Sequence, residues 1–475
     1  MKKLKTNIRF DRKTVGGLLF LAVWLFLFYT FTYSDIMITT LHGLNLWDCL
    51  LAGNMREFFS YNYQFEFFNT AYGELATAAN YDFIIYVIFA IWNFPLWLVR
   101  NMTEIEVLNT WWCLMWSKTL VLVFTCLALR LVQKIGELFH VKEEDARLGG
   151  FIFLTSNLFV SSVIVMSQYD IIAVVLMLAG IYYYIKKDTV KWLVFFSLAI
   201  PMKYMAALVF IPLLLYRQKN IFKIILDVVL VLLPMVIGRI LIPPYGAGND
   251  GMISYFFRNQ IASSIYPVPI FIALYIGICF LAYCWKTKTG EAELAEWSIY
   301  IGLLTYAIFL GASYANPYWA IYLVPFTTLV MMRNRNYLRI NALLDAAMTW
   351  GLVFAQAINF YWCFNSQLAS GMLLSTLLGR NNEKIRVVSM RDQLVALLAS
   401  GGNAEAVEGV KTYAQCGIAV FLAGLLIFLW INSPGRKKAG LVESEGSEMD
   451  VMAIRILTNL FICALPICAY FIAIS

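Results

Sequence analysis

Long apolar runs are the feature of this sequence that most constrains its fold. Runs of about 20 apolar residues recur from one end of the 475-residue chain to the other, and about 20 residues cross roughly 30 Å of hydrocarbon as a helix. Hydrophobic residues make up 61% of the sequence and charged residues 14%, and the mean hydropathy is +0.72. This composition excludes a soluble domain. The sequence therefore predicts an all-α polytopic membrane protein.

The basic residues predict how the chain is oriented. They occur in short clusters between the apolar runs, as in cytoplasmic loops, so the net charge of +7 does not indicate a nucleic-acid partner. The basic segment 1–14 leads into a first span, Val15–Tyr33, and predicts a retained signal anchor with a cytoplasmic N-terminus. We expect a multi-pass protein of the cytoplasmic membrane, surrounded by membrane lipids. Nine scattered cysteines and two histidines predict neither a disulfide framework nor a histidine metal centre.

The positive-inside rule also predicts the number of spans. The later basic clusters all fall on the cytoplasmic side only if the apolar run Asp82–Val99 does not cross the membrane. We therefore expect that run to form an outer-surface or re-entrant helix. The result is about 13 transmembrane helices, within a range of about 11 to 14. The predicted organisation is a transmembrane catalytic module over residues 15–335 with a large outer loop at 35–107 that contains interfacial helices, and C-terminal helices over 336–475 with an outer loop at 363–412 and a cytoplasmic linker at 432–450.

One hairpin is too short for the two crossings that its flanking charges require. Trp192–Tyr216 has 25 residues, whereas two crossings need roughly 40. Its helices must therefore be short, and its apex must lie below the outer surface. Backbone at that depth is tolerated where it lines a water-filled cavity, and a charge there costs about 2.5–3.5 kcal/mol. We expect Lys203 and Asp170 to face a recessed polar pit.

Glycosyl transfer from a polyprenyl-phosphate sugar suits such a pit. Asp35 directly follows the first span and is the candidate base for activating an acceptor hydroxyl, with Asp48 as the main alternative. The departing phosphate needs cations, for which Lys203 and Arg258 are the candidates. The remaining candidates are polar or aromatic residues for contacts to the substrate: Tyr81, Asp82, Gln168, Tyr169, Asp170, Asn316 and Tyr318.

Some of these residues have purely structural alternatives. Asp170 is a favoured residue for capping the helix that begins at Ile171. Lys203 could be a lysine that extends from a helix end toward water. Asn316 and Pro317 together are also typical of the start of a helix.

Three sequence elements resemble those of the GT-C glycosyltransferases. Ser167-Gln-Tyr-Asp170, followed by a span, a basic turn and Leu198-Ala-Ile-Pro-Met-Lys203, resembles their "GQ(Y/F)D … K" region. Ala79-Asn-Tyr-Asp82 is similar to their "DYPPL" element, and Asn316–Phe326 is similar to "HPQY…LLPF". The departures are Ser167 for the leading glycine, Asn316 for the histidine and the missing prolines after Tyr81.

The resemblance covers about residues 15–335 and implies an integral-membrane enzyme that uses dolichyl- or polyprenyl-phosphate sugars. It also implies a catalytic aspartate just after the first span, which is the position of Asp35. We expect inverting transfer of a sugar to a hydroxyl of a glycan, lipid or protein acceptor on the extracytoplasmic side. No cofactor is predicted, and a divalent metal is left open.

Two other functions remain open from the sequence. A flippase or transporter of lipid-linked glycans would be expected to show internal repeats, and none is visible. A glycan polymerase or ligase would be expected to concentrate charge in a late outer loop. The segment Cys363–Lys411 does so, with the basic residues Arg380, Lys384, Arg386 and Arg391.

Overall fold

A computed structural model describes most of the chain. The described residues are 12–60, 63–66, 74–77, 79–139, 141, 143–243, 254, 256–261, 267–369, 373–380, 385–398, 403–435 and 448–475. The N-terminal helices are α1 (Arg12–Thr30), α2 (Ser34–Leu51), α3 (Phe83–Trp92), α4 (Phe94–Met102), α5 (Trp111–Glu137), α6 (Glu143–Leu154) and α7 (Asn157–Phe159), which continues as a π-helix over Val160–Val165. The middle helices are α8 (Ile171–Ile185), α9 (Thr189–Met202), α10 (Met205–Arg217), α11 (Ile221–Leu241), α12 (Ile270–Cys284), α13 (Glu291–Ala312) and α14 (Val324–Arg333). The C-terminal helices are α15 (Leu338–Asn359), α16 (Leu373–Leu377), α17 (Met390–Leu398), α18 (Asn403–Ile431) and α19 (Glu448–Ile474).

Short elements connect these helices. Two antiparallel hairpins pair β1 (Tyr63–Glu66) with β2 (Glu74–Thr77), and β3 (Gln260–Ile261) with β4 (Val268–Pro269). Tyr63 lies opposite Thr77 in the first hairpin. The 3₁₀ helices are short: Met55–Glu57, Val107–Asn109, Pro317–Tyr322, Arg335–Tyr337, Tyr361–Cys363 and Ser366–Leu368.

The helices are those of a membrane protein. Within the described residues, six helices are long and apolar enough to cross a bilayer, or up to nine if each of three bent pairs forms one span. α11 carries a strongly exposed apolar surface, with Phe222 79% and Ile240 74% exposed, as expected where lipid takes the place of a protein core. The all-α membrane class is thus confirmed. The count of about 13 spans stays a prediction.

The first predicted span and the loop after it are arranged differently from the sequence prediction. α1 ends at Thr30 rather than at Tyr33, and α2 begins at Ser34, bent by 71° from α1. The sequence did not predict α2, because its polar residues interrupt the apolar pattern of a span. α2 is stabilised by packing on all sides, since nearly every residue from Ile36 to Leu46 is buried. Gly43 permits this, since a Cβ there would lie 2.9 Å from the backbone carbon of Phe89 in α3.

The run that was expected not to cross is broken in the structure. α3 and α4 meet at an angle of 64° on either side of Asn93. Pro95 lies in the first turn of α4, where its missing N–H leaves no bond unmade. A pair bent in this way forms either a broken span or a re-entrant segment, so the expectation that this run does not cross stays a prediction. Its side of the membrane stays a prediction.

Three consecutive helices are too short to cross hydrocarbon alone. α8, α9 and α10 have 15, 14 and 13 residues, or roughly 20–22 Å at 1.5 Å per residue. α8 begins after Asp170, and the break between α9 and α10 falls at Lys203 and Tyr204. The short helices therefore leave their polar ends inside the bundle.

A buried arginine, Arg455, joins the C-terminal helices to each other and to the rest of the protein. Arg455 of α19 lies 2.6 Å from Oδ2 of Asp345 in α15, and both side chains are 2% exposed. Arg455 also donates to the carbonyl oxygen of Ile152 at 2.7 Å and to the Thr155 hydroxyl at 3.0 Å. α19 is thus fixed to α6 and α15 by charge-assisted hydrogen bonds.

Candidate functional site

Four polar side chains from three chain segments meet where the short helices end. Gln168 Nε2 donates to Oδ2 of Asp35 at 2.8 Å, and Lys203 Nζ lies 3.4 Å from Oδ1 of Asp170. The positive charge of Lys203 acts on both carboxylates. We call Asp35, Gln168, Asp170 and Lys203 the carboxylate–lysine site. All four were among the residues predicted from the sequence.

Aromatic rings surround the ammonium group of the site. Lys203 Nζ lies 4.1 Å from the ring centroid of Tyr81, 5.5 Å from that of Tyr169 and 6.0 Å from that of Tyr318. Such distances permit cation–π attraction, which is strongest when the cation is desolvated. Lys203 is 3% exposed, so these three rings, the tyrosine cage, replace most of its water. It does not extend toward solvent as a snorkelling lysine would.

The helix ends add a field that favours an anion. The N-termini of α8 and α10 lie at Asp170 and Tyr204, and helix N-termini combine unpaired N–H groups with a partial positive charge. The Asp170 side chain makes no capping bond to α8. Its carboxylate is directed to Lys203 instead, which does not support the capping alternative.

A strained turn presents Gln168 to Asp35. Ser167 has a φ of 54°, a left-handed conformation that costs a residue other than glycine roughly 1–3 kcal/mol. Two contacts hold it, from Ser167 Oγ to the Phe31 carbonyl oxygen at 3.1 Å and from the Gln168 N–H to the Ser162 carbonyl oxygen at 3.1 Å. The π-helix ends just before this turn, and π-helical turns are frequent at functional sites.

Some buried polar atoms of the site have no hydrogen-bond partner. Within the described residues, Gln168 Oε1 and Asp170 Oδ2 are buried without a hydrogen-bond partner. Each such atom costs about 1–3 kcal/mol when left unsatisfied. These atoms would suit a polar ligand such as a sugar.

Asp48, the alternative base, lies elsewhere. It is 13 residues beyond Asp35 on α2, a rise of roughly 20 Å. Arg100 Nη2 contacts its Oδ2 at 2.5 Å, and the Trp97 indole N–H donates to Oδ1 at 2.7 Å. The Asp48 side chain is 42% exposed. The structure therefore does not bring Asp48 into the carboxylate–lysine site.

Arg258 and Asn316 lie at the periphery. The Arg258 guanidinium stacks on Tyr314 at 3.9 Å from the ring centroid and is exposed. Asn316 Nδ2 donates to the Tyr318 hydroxyl at 3.0 Å and its side chain caps no helix. Asn316 thus positions a member of the tyrosine cage, whereas Arg258 does not contact the four residues of the site.

Asp82 belongs to a second cluster that the sequence did not predict. Arg239 Nε donates to Asp82 Oδ1 at 2.6 Å, and the Tyr204 hydroxyl contacts both residues. Consecutive residues point in opposite directions here. Tyr81 and Lys203 enter the carboxylate–lysine site, while Asp82 and Tyr204 meet Arg239. The sequence signal that could have revealed this cluster is Arg239, a single arginine near the end of an apolar run. Charged residues within membrane-spanning segments are often functional.

A largely apolar cleft lies beside this second cluster. It has a volume of about 210 Å³ between α3, α9 and α11, and Arg239 and Asp82 line it together with Phe83, Pro201 and Pro234. The cleft therefore combines an apolar wall with one charged end.

The start of the second predicted outer loop packs beside Asp35. Trp362 lies 5.9 Å from Tyr33 between ring centroids, and the Thr32 N–H donates to the Leu368 carbonyl oxygen at 2.8 Å. Arg391, one of the basic residues noted in this loop, stacks on Tyr361 at 3.9 Å. Lys384 lies outside the described residues.

Within the part of the chain that the structure describes, no three histidine, cysteine or carboxylate side chains converge as metal ligands. The chain matches no protein-family model, no curated protein and no solved structure. Fold and site together define an α-helical membrane protein with a buried carboxylate–lysine site at the ends of three short helices.

Proposed function

We propose that this protein transfers a sugar from a polyprenyl-phosphate donor to an acceptor hydroxyl, with inversion at the anomeric carbon. The observation that carries the proposal is that the Asp35–Gln168 and Asp170–Lys203 pairs lie together at one buried site. A carboxylate and a cation are the two groups that this reaction requires. The order of the sequence elements that resemble GT-C glycosyltransferases supports the same function.

Asp35 is the proposed general base. Gln168 holds Oδ2 through a neutral N–H donor, which orients the carboxylate without neutralising it. Oδ1 then accepts the proton of the acceptor hydroxyl as its oxygen attacks the anomeric carbon. A positioned base contributes about 10²- to 10⁴-fold to a rate.

Lys203 is the proposed partner of the leaving group. As the bond between the anomeric carbon and the phosphate oxygen breaks, the electron pair stays on the phosphate. An ammonium carries three donors, so Lys203 can remain near Asp170 and still donate to that phosphate. The N-termini of α8 and α10 favour the same charge.

The largely apolar cleft beside Asp82 and Arg239 is the proposed binding site for the lipid part of the donor. Its apolar wall suits isoprenyl units, and Arg239 at its charged end suits a phosphate approaching from the bilayer. Asp82 and Pro201 line the cleft, and they are close chain neighbours of Tyr81 and Lys203 in the carboxylate–lysine site. The sugar itself would contact the tyrosine cage, Asn316 and the unpaired atoms of Gln168 and Asp170.

The test is a transfer assay with protein in lipid nanodiscs. A panel of radiolabelled polyprenyl-phosphate hexoses is incubated with the protein and with membrane extract as the source of acceptors. We expect one donor to release polyprenyl phosphate and to deliver its sugar with the inverted anomeric configuration, and the Asp35→Asn variant to lose this activity. A wild-type protein that consumes no donor would contradict the proposal.

One observation favours a transporter as the second candidate. The break between α9 and α10 places polar groups at helix ends inside the bundle, and secondary transporters commonly build their substrate sites at such breaks. Flux of labelled lipid-linked glycan across proteoliposomes without cleavage of the phosphate–sugar bond would favour this alternative over transfer.

A further inference from the structure

Three consecutive polar residues interrupt the apolar helix α5. Ser117, Lys118 and Thr119 each form a hydrogen bond with a residue of α1, of α2 or of the bend between them. Ser117 Oγ accepts from Thr40 Oγ1 at 2.9 Å, and the Thr119 and Tyr29 hydroxyls lie 2.9 Å apart. Lys118 occupies the centre and is fully buried.

Lys118 contacts backbone carbonyls rather than a carboxylate. Its ammonium donates to the carbonyl oxygens of Phe28, of Phe31 at 2.6 Å and of Ile164 at 3.2 Å. Three carbonyl oxygens therefore surround one side-chain nitrogen. Among the described residues, none forms a salt bridge with Lys118, so these carbonyls are its hydrogen-bond partners.

The position of these carbonyls makes them strong acceptors for the Lys118 side chain. Phe28 and Phe31 lie at the end of α1, where the last carbonyls lack helical partners and carry partial negative charge. Ile164 lies in the π-helix, just before the strained turn at Ser167. One ammonium therefore joins two chain segments that are far apart in sequence.

Those two segments carry Asp35 and Gln168, which are joined by a hydrogen bond in the carboxylate–lysine site. Asp35 follows Phe31 by four residues, and Gln168 follows Ile164 by four. Phe31 also accepts from Ser167 Oγ at 3.1 Å, so both segments share one anchoring carbonyl. The hydrogen bond between Asp35 and Gln168 depends on how far apart these segments are held.

We propose that Lys118 is a positioning residue that aligns Asp35 with Gln168 for proton abstraction. The inference rests on the proposed function, since it assigns Asp35 the role of base. Lys118 itself touches neither the site nor the substrate. It acts through the two backbone segments that it holds together.

A double-mutant cycle on sugar transfer tests this role. We expect Lys118→Met to lower kcat about 100-fold, the effect of displacing a reacting group by about 1 Å, with the donor KM changed less than about threefold. Adding Gln168→Leu should cost less than about threefold more, because residues that act as a unit are not additive. Multiplied losses would overturn the proposal.

Two further variants keep that test interpretable. Thr119→Val removes the neighbouring bond to Tyr29 and should stay within about threefold of wild type, because that bond does not involve the carbonyls before Asp35. Lys118→Gln keeps two N–H donors and should fall between wild type and Lys118→Met. Equal losses in Thr119→Val and Lys118→Met would indicate a general packing effect and overturn the proposal.

A second measurement needs no sugar transfer. Hydrophobic carbodiimides label protonated carboxyl groups, and mass spectrometry locates the adduct. Lys118→Met and Gln168→Leu should each speed the labelling of Asp35, and the double variant should be no faster than the faster single one. If Lys118→Met leaves the labelling unchanged while Gln168→Leu speeds it, the proposal is wrong. If the labelling behaves as expected but wild-type protein transfers no sugar, the positioning role stands and the proposed function falls.

Discussion

Two carboxylates on the same helix, α2, have opposite surroundings. Asp35 lies at its first turn, is held by the neutral amide of Gln168 and experiences the charge of Lys203. Asp48 lies near its last turn, is 42% exposed and gives both oxygens to Arg100 and Trp97. The sequence offered them as alternatives for one role.

The comparison teaches that the partners of a carboxylate decide its use. Asp48 is bonded at both oxygens and gains little from an exposed ion pair. Asp35 has one oxygen oriented by Gln168 and lies near the buried cation of Lys203, where electrostatic interactions are stronger than in water. A base needs an oriented carboxylate with room for a proton, and Asp35 meets this requirement better.

The largest expected difference is in catalysis. Asp35→Asn should lower the kcat of sugar transfer by about 10²- to 10⁴-fold, because the base is lost. Asp48→Asn should change it less than about threefold, since exposed pairs contribute little. Rates are measured side by side in nanodiscs, and a comparable loss in both variants would remove the distinction.

The next difference concerns stability. Lys203→Met leaves Asp170 buried and unpaired, which costs roughly 3–5 kcal/mol, whereas Arg100→Met should cost at most about 1 kcal/mol. Denaturant unfolding in micelles measures both. Adding Asp170→Asn to Lys203→Met should recover part of the loss, and an absence of recovery would argue against the pairing.

A third prediction compares two arginine–aspartate pairs. Arg239→Gln should raise the donor KM about tenfold, since a charge-assisted bond to phosphate is worth roughly 1.5–3 kcal/mol. Arg100→Gln, which alters the Asp48 pair away from the cleft, should leave KM unchanged. Equal effects would show that the cleft does not receive the donor phosphate.

The smallest effect is expected at Trp97. Trp97→Phe keeps an aromatic ring but removes the indole donor to Asp48, at a cost of about 1 kcal/mol. Thermal unfolding should detect this change, while kcat stays at the wild-type level. A lowered kcat would link the Asp48 end of α2 to the reaction.

The burial of Lys203 between short helices could be predicted because it follows from counting residues. Too few residues lie between two basic clusters for two full crossings, and the structure accordingly has short helices with a buried Lys203. The sequence also predicted that Asp82–Val99 is not an ordinary straight span. Asn93 and Pro95 interrupt the run, and the later basic clusters all fall on the cytoplasmic side only if it does not cross. These are local properties of a chain in a membrane.

Other parts of the site depend on neighbours that no local pattern identifies. α2 was missed because its helix is stabilised by packing rather than by apolar composition. Arg239 and Lys118 were missed because each lies in an apolar helix, and their partners are distant in sequence. Asp48 remained an alternative until the length of α2 separated it from Asp35.

The sequence by itself determined that this protein is a helical membrane protein, that some helices are short and that polar residues lie at their ends. These properties follow from the cost of exposing charge and unpaired backbone groups to hydrocarbon. Only the tertiary structure decided which polar residues meet. The pairing of Asp35 with Gln168 and of Asp170 with Lys203 depends on helix angles and close contacts, such as the bend between α1 and α2, which arise when distant segments pack together.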